Sequence, residues 1–319
     1  MSEATALPPY VRWVFPERGA WRRRWLNLSL RWMVKRQMLA ELDLARFRAT
    51  QGAFEARFAF LDADVRRTPV DAGGVAAEWI EAPETRPARV ILYLHGGAFV
   101  LRFPDTHAGM VGTWCRRLGA RALMVDYRLA PEHPFPAGAD DCLAAYRWLL
   151  AQGHDPRHIV IAGDSAGGNL TLATLHRIKA AGEPMPACAV LLSPFVDFTL
   201  SGGSLVANER RDPMFTLRAM ASMRGLYAPP ERFLDPSVSP LFGDFAGLPP
   251  LLIQVGSTEM LLDDALRTGA KAHAAGVPVE VEIWDKLPHV FAVVHSLPQA
   301  AAATDSIVRF VGERAGWVG

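Results

Sequence analysis

The chain has 319 residues, half of them hydrophobic and 21% charged, and its 34 Lys+Arg nearly balance its 33 Asp+Glu. This composition is typical of a globular protein rather than a disordered one. The near-neutral charge argues against nucleic acid as the main partner. The three cysteines (Cys115, Cys142 and Cys188) are widely spaced and form no Cys-x-x-Cys pair. That spacing disfavours a disulfide framework and a zinc site, and predicts a cytoplasmic protein.

The charge is distributed unevenly along the chain. Residues 1–60 hold 11 Lys+Arg and 5 Asp+Glu, a net +6, and the remainder of the chain carries a net −5. Four of the nine tryptophans fall within the first 32 residues. We expect neither a signal peptide at the N-terminus nor a transmembrane helix, because no apolar run is long enough for one. The composition predicts a distinct N-terminal segment.

A helix is expected within this segment, because Trp21, Trp25, Leu28 and Trp32 recur at helical spacing. Arginines and a lysine occupy much of the remaining surface of this helix. A stripe at helical spacing usually packs against the rest of a protein, so packing of this aromatic face is the favoured interpretation. The alternative is a basic amphipathic helix that makes weak contact with a membrane surface.

Short apolar runs alternate with helical stretches from about residue 75 onward. This alternation predicts a mostly parallel sheet flanked by helices. A Gly- and Ser-containing stretch near residues 199–204, followed by 210–227, interrupts the alternation and is interpreted as an insertion. The predicted strands are Val75–Ile80, Arg89–Leu94, Ala122–Asp126, His158–Ala162, Ala189–Ser193, Pro250–Val255 and Val279–Trp284. The predicted helices are Thr106–Leu118, Ala137–Ala151, Ala166–Ala181, Leu261–Ala275 and Gln299–Glu313.

The pattern Gly-x-Ser-x-Gly occurs at Gly163-Asp164-Ser165-Ala166-Gly167. Alone this pattern is weak, but here it follows a predicted strand and opens a predicted helix, which is the context of a nucleophile elbow. The glycines allow a tight turn, and the helix N-terminus favours developing negative charge. Ser165 is therefore the candidate nucleophile.

A serine hydroxyl needs a base, and that base needs a third group to orient it. In proteins with such an elbow the chain order is Ser, acid, His. His289 follows the last predicted strand across a short loop and is the favoured base, whereas His273 lies inside a helix. Glu259 directly follows the preceding strand and is the favoured acid, with Asp263 and Asp264 as alternatives.

A glycine-rich loop, His95-Gly96-Gly97-Ala98-Phe99, comes directly after the strand Arg89–Leu94. Backbone N–H groups in such a loop can stabilise an oxyanion, together with the N–H of the residue after the nucleophile, here Ala166. His95 is interpreted as a structural hydrogen-bonding residue rather than as a second base.

Together these motifs resemble the bacterial hormone-sensitive-lipase-like esterases. The resemblance extends from about residue 75 to the end of the chain. It is carried by the glycine-rich loop, by Asp126-Tyr127-Arg128-Leu129-Ala130-Pro131-Glu132 with Phe135-Pro136-Ala137, by Gly163–Asn169, by Ser239-Pro240-Leu241, by the stretch Gly256–Asp264 and by Pro288-His289-Val290-Phe291. Two positions depart from the family pattern: Ala98 replaces a third loop glycine, and Glu259 stands where an aspartate is usual.

The resemblance implies an α/β-hydrolase fold, with a core at 61–198 and 231–319 and a helical cap at 1–60 and 199–230. It implies Ser165, Glu259 and His289 as catalytic residues and Gly97, Ala98 and Ala166 as oxyanion donors. Family members often form homodimers through a sheet edge. Apolar candidates for contact with the substrate are Phe195, Phe198, Met214, Phe215 and Met220.

The expected activity is hydrolysis of short- to medium-chain acyl esters, small-molecule substrates, through an acyl-serine intermediate with no cofactor and no metal. A lactone hydrolase would use the same triad and stays open as an alternative. A non-catalytic binding protein on the same scaffold, like the plant gibberellin receptors, would lack the catalytic histidine, which here is present as His289.

Overall fold

The computed structural model describes residues 7–15, 18–38 and 43–317, so parts of the predicted N-terminal segment 1–60 lie outside the described residues. The described chain forms one nine-stranded sheet with the order β1-β9-β8-β7-β6-β4-β5-β3-β2. Strands β2 and β3 pair antiparallel with each other and β3 with β5, whereas the other neighbours are parallel. The strands are β1 (Val11–Val14), β2 (Arg66–Asp71), β3 (Ala76–Glu81), β4 (Val90–Leu94), β5 (Arg121–Val125), β6 (Ile159–Asp164), β7 (Cys188–Leu192), β8 (Leu251–Gly256) and β9 (Val279–Trp284).

Helices flank this sheet on both faces. They are α1 (Ala20–Leu30), which continues through a π-helical turn (Arg31–Lys35) into α2 (Arg36–Met38), then α3 (Leu44–Phe58), α4 (Pro104–Leu118), α5 (Ala137–Ala151), α6 (Ala166–Ala180), α7 (Ser204–Ala207), α8 (Leu217–Tyr227), α9 (Leu262–Ala274) and α10 (Pro298–Ala315). Within the described residues, no helix is long and apolar enough to cross a membrane.

Two apolar cores lie against the two faces of the sheet. In β4, Leu92 and Leu94 belong to the core that also contains residues of α5, α6 and α9. The alternate residues Ile91 and Tyr93 belong to the core shared with α4 and α10. Every residue of β4, β6, β7 and β8 is buried. Continuous apolar runs are expected of parallel strands covered on both faces, and the predicted fold class is confirmed.

All seven predicted strands and five predicted helices are present, with boundaries that shift by a few residues. Among the described elements, strands β1 and β2 and helices α3, α7 and α8 were not predicted individually. The sequence of β2 contains three charged residues and Pro69, and a proline is tolerated in a sheet mainly at an edge. Strand β1 lies along the outer edge of β9. Neither edge strand has the continuous apolar run that marks the central strands.

The favoured prediction for the aromatic face of the N-terminal helix is wrong. Trp21, Trp25, Leu28 and Trp32 are all exposed. The buried stripe is instead Leu26, Leu30, Val34 and Met38, which packs against Ala219 and Met223 of α8 and against residues that follow β9. Two parallel stripes at helical spacing share this helix, and the smaller aliphatic side chains occupy the interface.

Basic residues attach this helix to the protein rather than only facing solvent. Arg23 donates to the carbonyl of Asp285 at 3.0 Å. Arg31 donates to the carbonyls of Arg210 and Arg211 at 2.9 and 2.6 Å, and Lys35 donates to the carbonyl of Asp212 at 2.7 Å. The predicted insertion thus contains α7 and α8, and it contacts the N-terminal helix directly.

Candidate active site

Ser165 lies on a sharp turn between β6 and α6, as the motif predicts. Its backbone has φ 54° and ψ −115°, a conformation that costs free energy for a residue with a side chain. The flanking glycines permit the turn, because a methyl group on Gly163 would lie 2.6 Å from the carbonyl oxygen of Leu94 and one on Gly167 only 1.8 Å from it. The turn presents Ser165 at the carboxyl ends of the parallel strands.

The glycine-rich loop after β4 approaches this serine from the neighbouring strand. Gly97 has φ 122°, and a methyl group there would lie 2.2 Å from the carbonyl oxygen of Leu101. Ala98 and Phe99 also have positive φ. In the described part of the chain, the N–H groups of Gly97, Ala98 and Ala166 donate to no protein acceptor. These are the three amides that the resemblance assigns to the oxyanion hole.

His289 and Glu259 meet in the buried interior beside the carboxyl end of β8. The Nδ1 atom of His289 lies 2.9 Å from Oε2 of Glu259. Because a carboxylate can only accept, Nδ1 must carry the proton, and the neutral ring then has its lone pair on Nε2. Burial lowers the pKa of His289, but the hydrogen bond and charge of Glu259 outweigh burial and raise this pKa above its ordinary value.

Glu259 is held by a second set of hydrogen bonds. Its Oε1 accepts from the hydroxyl of Ser193 at 2.8 Å and from the N–H of Gly256. The same Ser193 hydroxyl accepts from the N–H of Val290 at 3.1 Å. Ser193 therefore links the loop that carries Glu259 to the loop that carries His289. Ser193 was not predicted as a site residue, because the residues that it contacts are distant from it in the chain.

The two alternative acids lie elsewhere. Asp263 accepts from the N–H of Ser204 at 2.9 Å. Asp264 accepts from the N–H groups of Val196 and Asp197, and burial raises its pKa to about 7. Neither aspartate makes a hydrogen bond to His289 among the described contacts. The added methylene of Glu259 spans the distance from the β8 loop to the imidazole.

Ser165 and His289 line the same cavity, which has a volume of about 450 Å³. Within the described chain no hydrogen bond joins the Ser165 hydroxyl to His289. Catalytic hydrogen bonds commonly tighten only once substrate is bound. The ring of Phe215 packs edge-on against that of His289, with centroids 4.9 Å apart.

Four of the five predicted pocket residues line one of two cavities at Ser165. Met214 and Phe215 line the large cavity. Phe195, Phe215 and Met220 line an adjoining cavity of about 30 Å³, which also contacts Ala166. Phe198 lines neither of these two cavities. It is fully buried and packs against Phe195, with centroids 4.7 Å apart.

A buried charged cluster beneath the glycine-rich loop was not predicted. Asp164 accepts from the N–H of Gly96 at 2.8 Å and from the hydroxyl of Tyr93 at 2.7 Å, and it lies 3.2 Å from Nε2 of His107. Burial alone would raise the pKa of Asp164, but His107, Tyr93 and the Gly96 N–H together lower it to about 2. Asp164 thereby fixes the start of the loop that lines the same cavity as Ser165.

His95 has the structural role that the sequence analysis assigned to it. Its ring stacks on Tyr127 at 4.2 Å between centroids, and its Nδ1 lies 2.7 Å from the carbonyl oxygen of Gly96. Burial lowers the pKa of His95 to about 3, so the ring is neutral. Among the residues that the structure describes, no cluster of three or more His, Cys, Asp or Glu side chains could hold a metal ion.

The fold and this site are those of an α/β-hydrolase, and comparison with known proteins agrees. The sequence pattern of a family with the α/β-hydrolase fold matches residues 91–293. An acetyl-hydrolase of Streptomyces hygroscopicus is 40% identical over 237 residues, which cover 74% of this chain and 79% of that protein.

Comparison with solved structures identifies the family within the α/β-hydrolases. The crystal structure of EstE5 soaked with ethyl alcohol has a TM-score of 0.88 and 40% identity, and the match covers 94% of this chain and all of that one. An esterase from the bacterial hormone-sensitive lipase family has a TM-score of 0.88 and 39% identity over 93% of this chain and 99% of its own. The chain belongs to the bacterial hormone-sensitive-lipase family, and it is a carboxylic ester hydrolase.

Proposed function

We propose that Ser165, His289 and Glu259 are the catalytic triad and that hydrolysis proceeds through an acyl-serine intermediate. The observation that carries this proposal is the buried hydrogen bond between His289 and Glu259, made behind the cavity that His289 and Ser165 both line. It leaves Nε2 of His289 as the free base in that cavity. The raised pKa of His289 supports its role in accepting a proton during the reaction.

In the first half of the reaction, Nε2 of His289 takes the proton of the Ser165 hydroxyl while Oγ bonds to the ester carbonyl carbon. The carbonyl oxygen becomes an oxyanion. The tetrahedral intermediate then expels the alkoxide, which takes the proton from His289 and leaves as the alcohol. Glu259 stabilises the transient imidazolium and keeps its ring in the required orientation.

In the second half, His289 removes a proton from water, and the resulting hydroxide oxygen bonds to the acyl carbon. The bond to Oγ then breaks, Ser165 regains its proton from His289, and the carboxylic acid leaves. We assign the stabilisation of both oxyanions to the N–H groups of Gly97, Ala98 and Ala166. Removal of one such donor typically costs about 3–4 kcal/mol of transition-state stabilisation.

We further propose short- to medium-chain acyl esters as substrates. The large cavity lies within the range of about 300–1,000 Å³ usual for small-molecule sites. The small cavity beside Ala166 has room for a methyl-sized group. An ester with one short substituent therefore fits both cavities, because the short substituent can occupy the small cavity and the rest of the ester the large one. In this proposal the described parts of 1–60 and the insertion 199–230 form the cap over the large cavity.

The test combines covalent labelling with kinetics. A fluorophosphonate should label Ser165 in the wild type, as located by peptide mass spectrometry, and should not label Ser165→Ala. That variant should lose ester hydrolysis by about 10⁴-fold or more while its thermal unfolding temperature stays unchanged. Full activity of Ser165→Ala, or labelling at another serine, would contradict the proposal.

A series of acyl esters of increasing chain length, run beside several lactones, tests the substrate class. We expect kcat/KM to be highest for short and medium acyl chains and to fall for long ones. A kcat/KM for lactones above that of every open-chain ester would instead identify a lactone hydrolase with the same triad.

A further inference from the structure

The N-terminal helix carries an exposed aromatic face, formed by Trp21, Trp25, Leu28 and Trp32. The exposed fractions of these residues are 65%, 63%, 51% and 71%. All four lie opposite the buried stripe that attaches the helix to the protein. Large apolar residues clustered on one exposed face usually mark a surface that binds something.

The aromatic face lies in a strongly basic segment. Residues 18–38 contain seven Lys+Arg and no Asp or Glu. Four of these cations, Arg22, Arg23, Arg31 and Lys35, donate to backbone carbonyls outside the helix. Arg18, Arg24 and Arg36 are exposed, and Arg22 is exposed as well. The guanidinium of Arg22 also lies over the ring of Trp21, 5.3 Å from its centroid. The helix thus combines exposed indole rings with exposed positive charge.

The same helix borders the cavity that contains Ser165. Trp32 lines this cavity and is 71% exposed, so it marks the mouth. Leu30 and Met33 continue the lining inward. A surface that contacts the aromatic face would therefore lie next to the entrance through which substrate reaches Ser165.

We propose that the aromatic face binds the surface of an anionic phospholipid bilayer, which places the cavity mouth at that surface. Indole rings partition to the headgroup region of bilayers, and each Lys or Arg near an anionic surface strengthens binding about fivefold (about 1 kcal/mol). A helix with aromatic and basic residues exposed together fits the in-plane interfacial position. A second copy of the chain fits less well, because a two-fold contact would bring the two arginine-rich helices together.

The experiment measures sedimentation of the full-length protein with vesicles. Vesicles of phosphatidylcholine alone are compared with vesicles that also contain phosphatidylglycerol, each at low and high salt. We expect binding to the anionic vesicles at low salt, and weaker binding as salt screens the charges. Ser165→Ala is measured in parallel, since it should bind equally and hydrolyse nothing.

Two double variants separate the aromatic and basic contributions. Trp21→Ser with Trp25→Ser should lower the partition coefficient on anionic vesicles about tenfold or more. Arg24→Gln with Arg36→Gln should lower it by a similar factor on anionic vesicles only. Leu234→Ser is the matched control, because Leu234 is 72% exposed but lies outside the helix. None of these residues lines either cavity at Ser165, so hydrolysis of a dissolved short-chain ester verifies that each variant is folded.

Absence of binding to anionic vesicles at low salt would overturn the proposal. The proposal would also be overturned if Leu234→Ser lost as much vesicle binding as the tryptophan variant, or if the tryptophan variant bound vesicles as well as the wild type. Sedimentation velocity without vesicles measures whether the protein is a monomer or a dimer. A dimer that Trp21→Ser with Trp25→Ser converts to a monomer would show that this face is a subunit interface and not a lipid-binding surface.

Discussion

In the proposed triad, Glu259 and His289 form the hydrogen-bonded pair that supplies the base, and each is held in place by the residues around it. His289 follows Pro288 in the loop after β9, and Val290 has a left-handed backbone with φ 48°. The N–H of Val290 is thereby free to donate to Ser193, which also donates to Glu259. The position of His289 thus depends on two loops and on Ser193, which has no step of its own in the proposed mechanism.

Replacement of Glu259 by Gln should lower kcat by about 10²–10⁴-fold, because the amide neither stabilises the imidazolium nor fixes the tautomer as well. The carboxylate raises the pKa of His289, so its loss should lower that pKa. Since His289 acts as a base only when neutral, the acidic limb of the kcat/KM profile should move to lower pH. Rate measurements across a pH series test both expectations.

Asp263→Asn is the matched control for this substitution. Asp263 contacts Ser204 rather than His289, so its loss should change kcat by no more than about twofold and should not move the acidic limb. A larger loss of activity in Asp263→Asn than in Glu259→Gln would transfer the role of acid to Asp263.

The parts of the site that could be predicted are those marked by a short stretch of sequence next to a predicted strand. The glycine-rich loop, Ser165 and His289 each come within a few residues of the end of a predicted strand, so the sequence places them at one edge of a parallel sheet. Ser193 and the cluster of Asp164 with His107 join segments that are distant in the chain. The contacts of Ser193 become visible only once β7, β8 and β9 are adjacent, and those of Asp164 only once α4 and β4 lie beside β6.

At the scale of elements, the central strands were predictable because both of their faces are buried. Edge strands β1 and β2 were not predicted, since half-exposed positions there carry charges and a proline. The prediction of which face of the N-terminal helix is buried was wrong for a different reason. Its sequence contains two stripes at helical spacing, and periodicity alone does not decide which one is buried.

The packing of α6 against β4 yields a prediction at this scale. Gly167 lies in the first turn of α6, where an added methyl group would be 1.8 Å from the carbonyl oxygen of Leu94. Because that atom is backbone, the strand or helix must shift. Gly167→Ala should therefore lower the free energy of unfolding by roughly 3 kcal/mol or more.

Gly225→Ala is the control, since Gly225 lies inside α8 with no atom within 4 Å of an added methyl group. Alanine is the better helix former, so this substitution should stabilise the protein by about 0.5–1 kcal/mol. Urea denaturation of the two variants measures both effects. Equal shifts in the same direction would show that the helix does not approach β4 as closely as described.

At the scale of the whole molecule, a single sheet separates two cores, and each core contains at least one cysteine. Cys142 lies in the core with α5 and α6, whereas Cys115 and Cys188 lie in the core with α4 and α10. All three thiols are free and fully buried, and burial raises the pKa of each. Both properties suppress reaction with thiol reagents.

We therefore expect a maleimide to modify the three cysteines of the native protein only slowly, and all three rapidly after denaturation. Because the cores share one sheet, the slow labelling of native protein should proceed at one rate for all three thiols, set by cooperative opening. Ser222→Cys adds a thiol at an exposed position of α8 and should react at once. Peptide mass spectrometry over time follows each site. Faster labelling of Cys142 than of Cys115 and Cys188 would show that the two cores open independently, despite the sheet that they share.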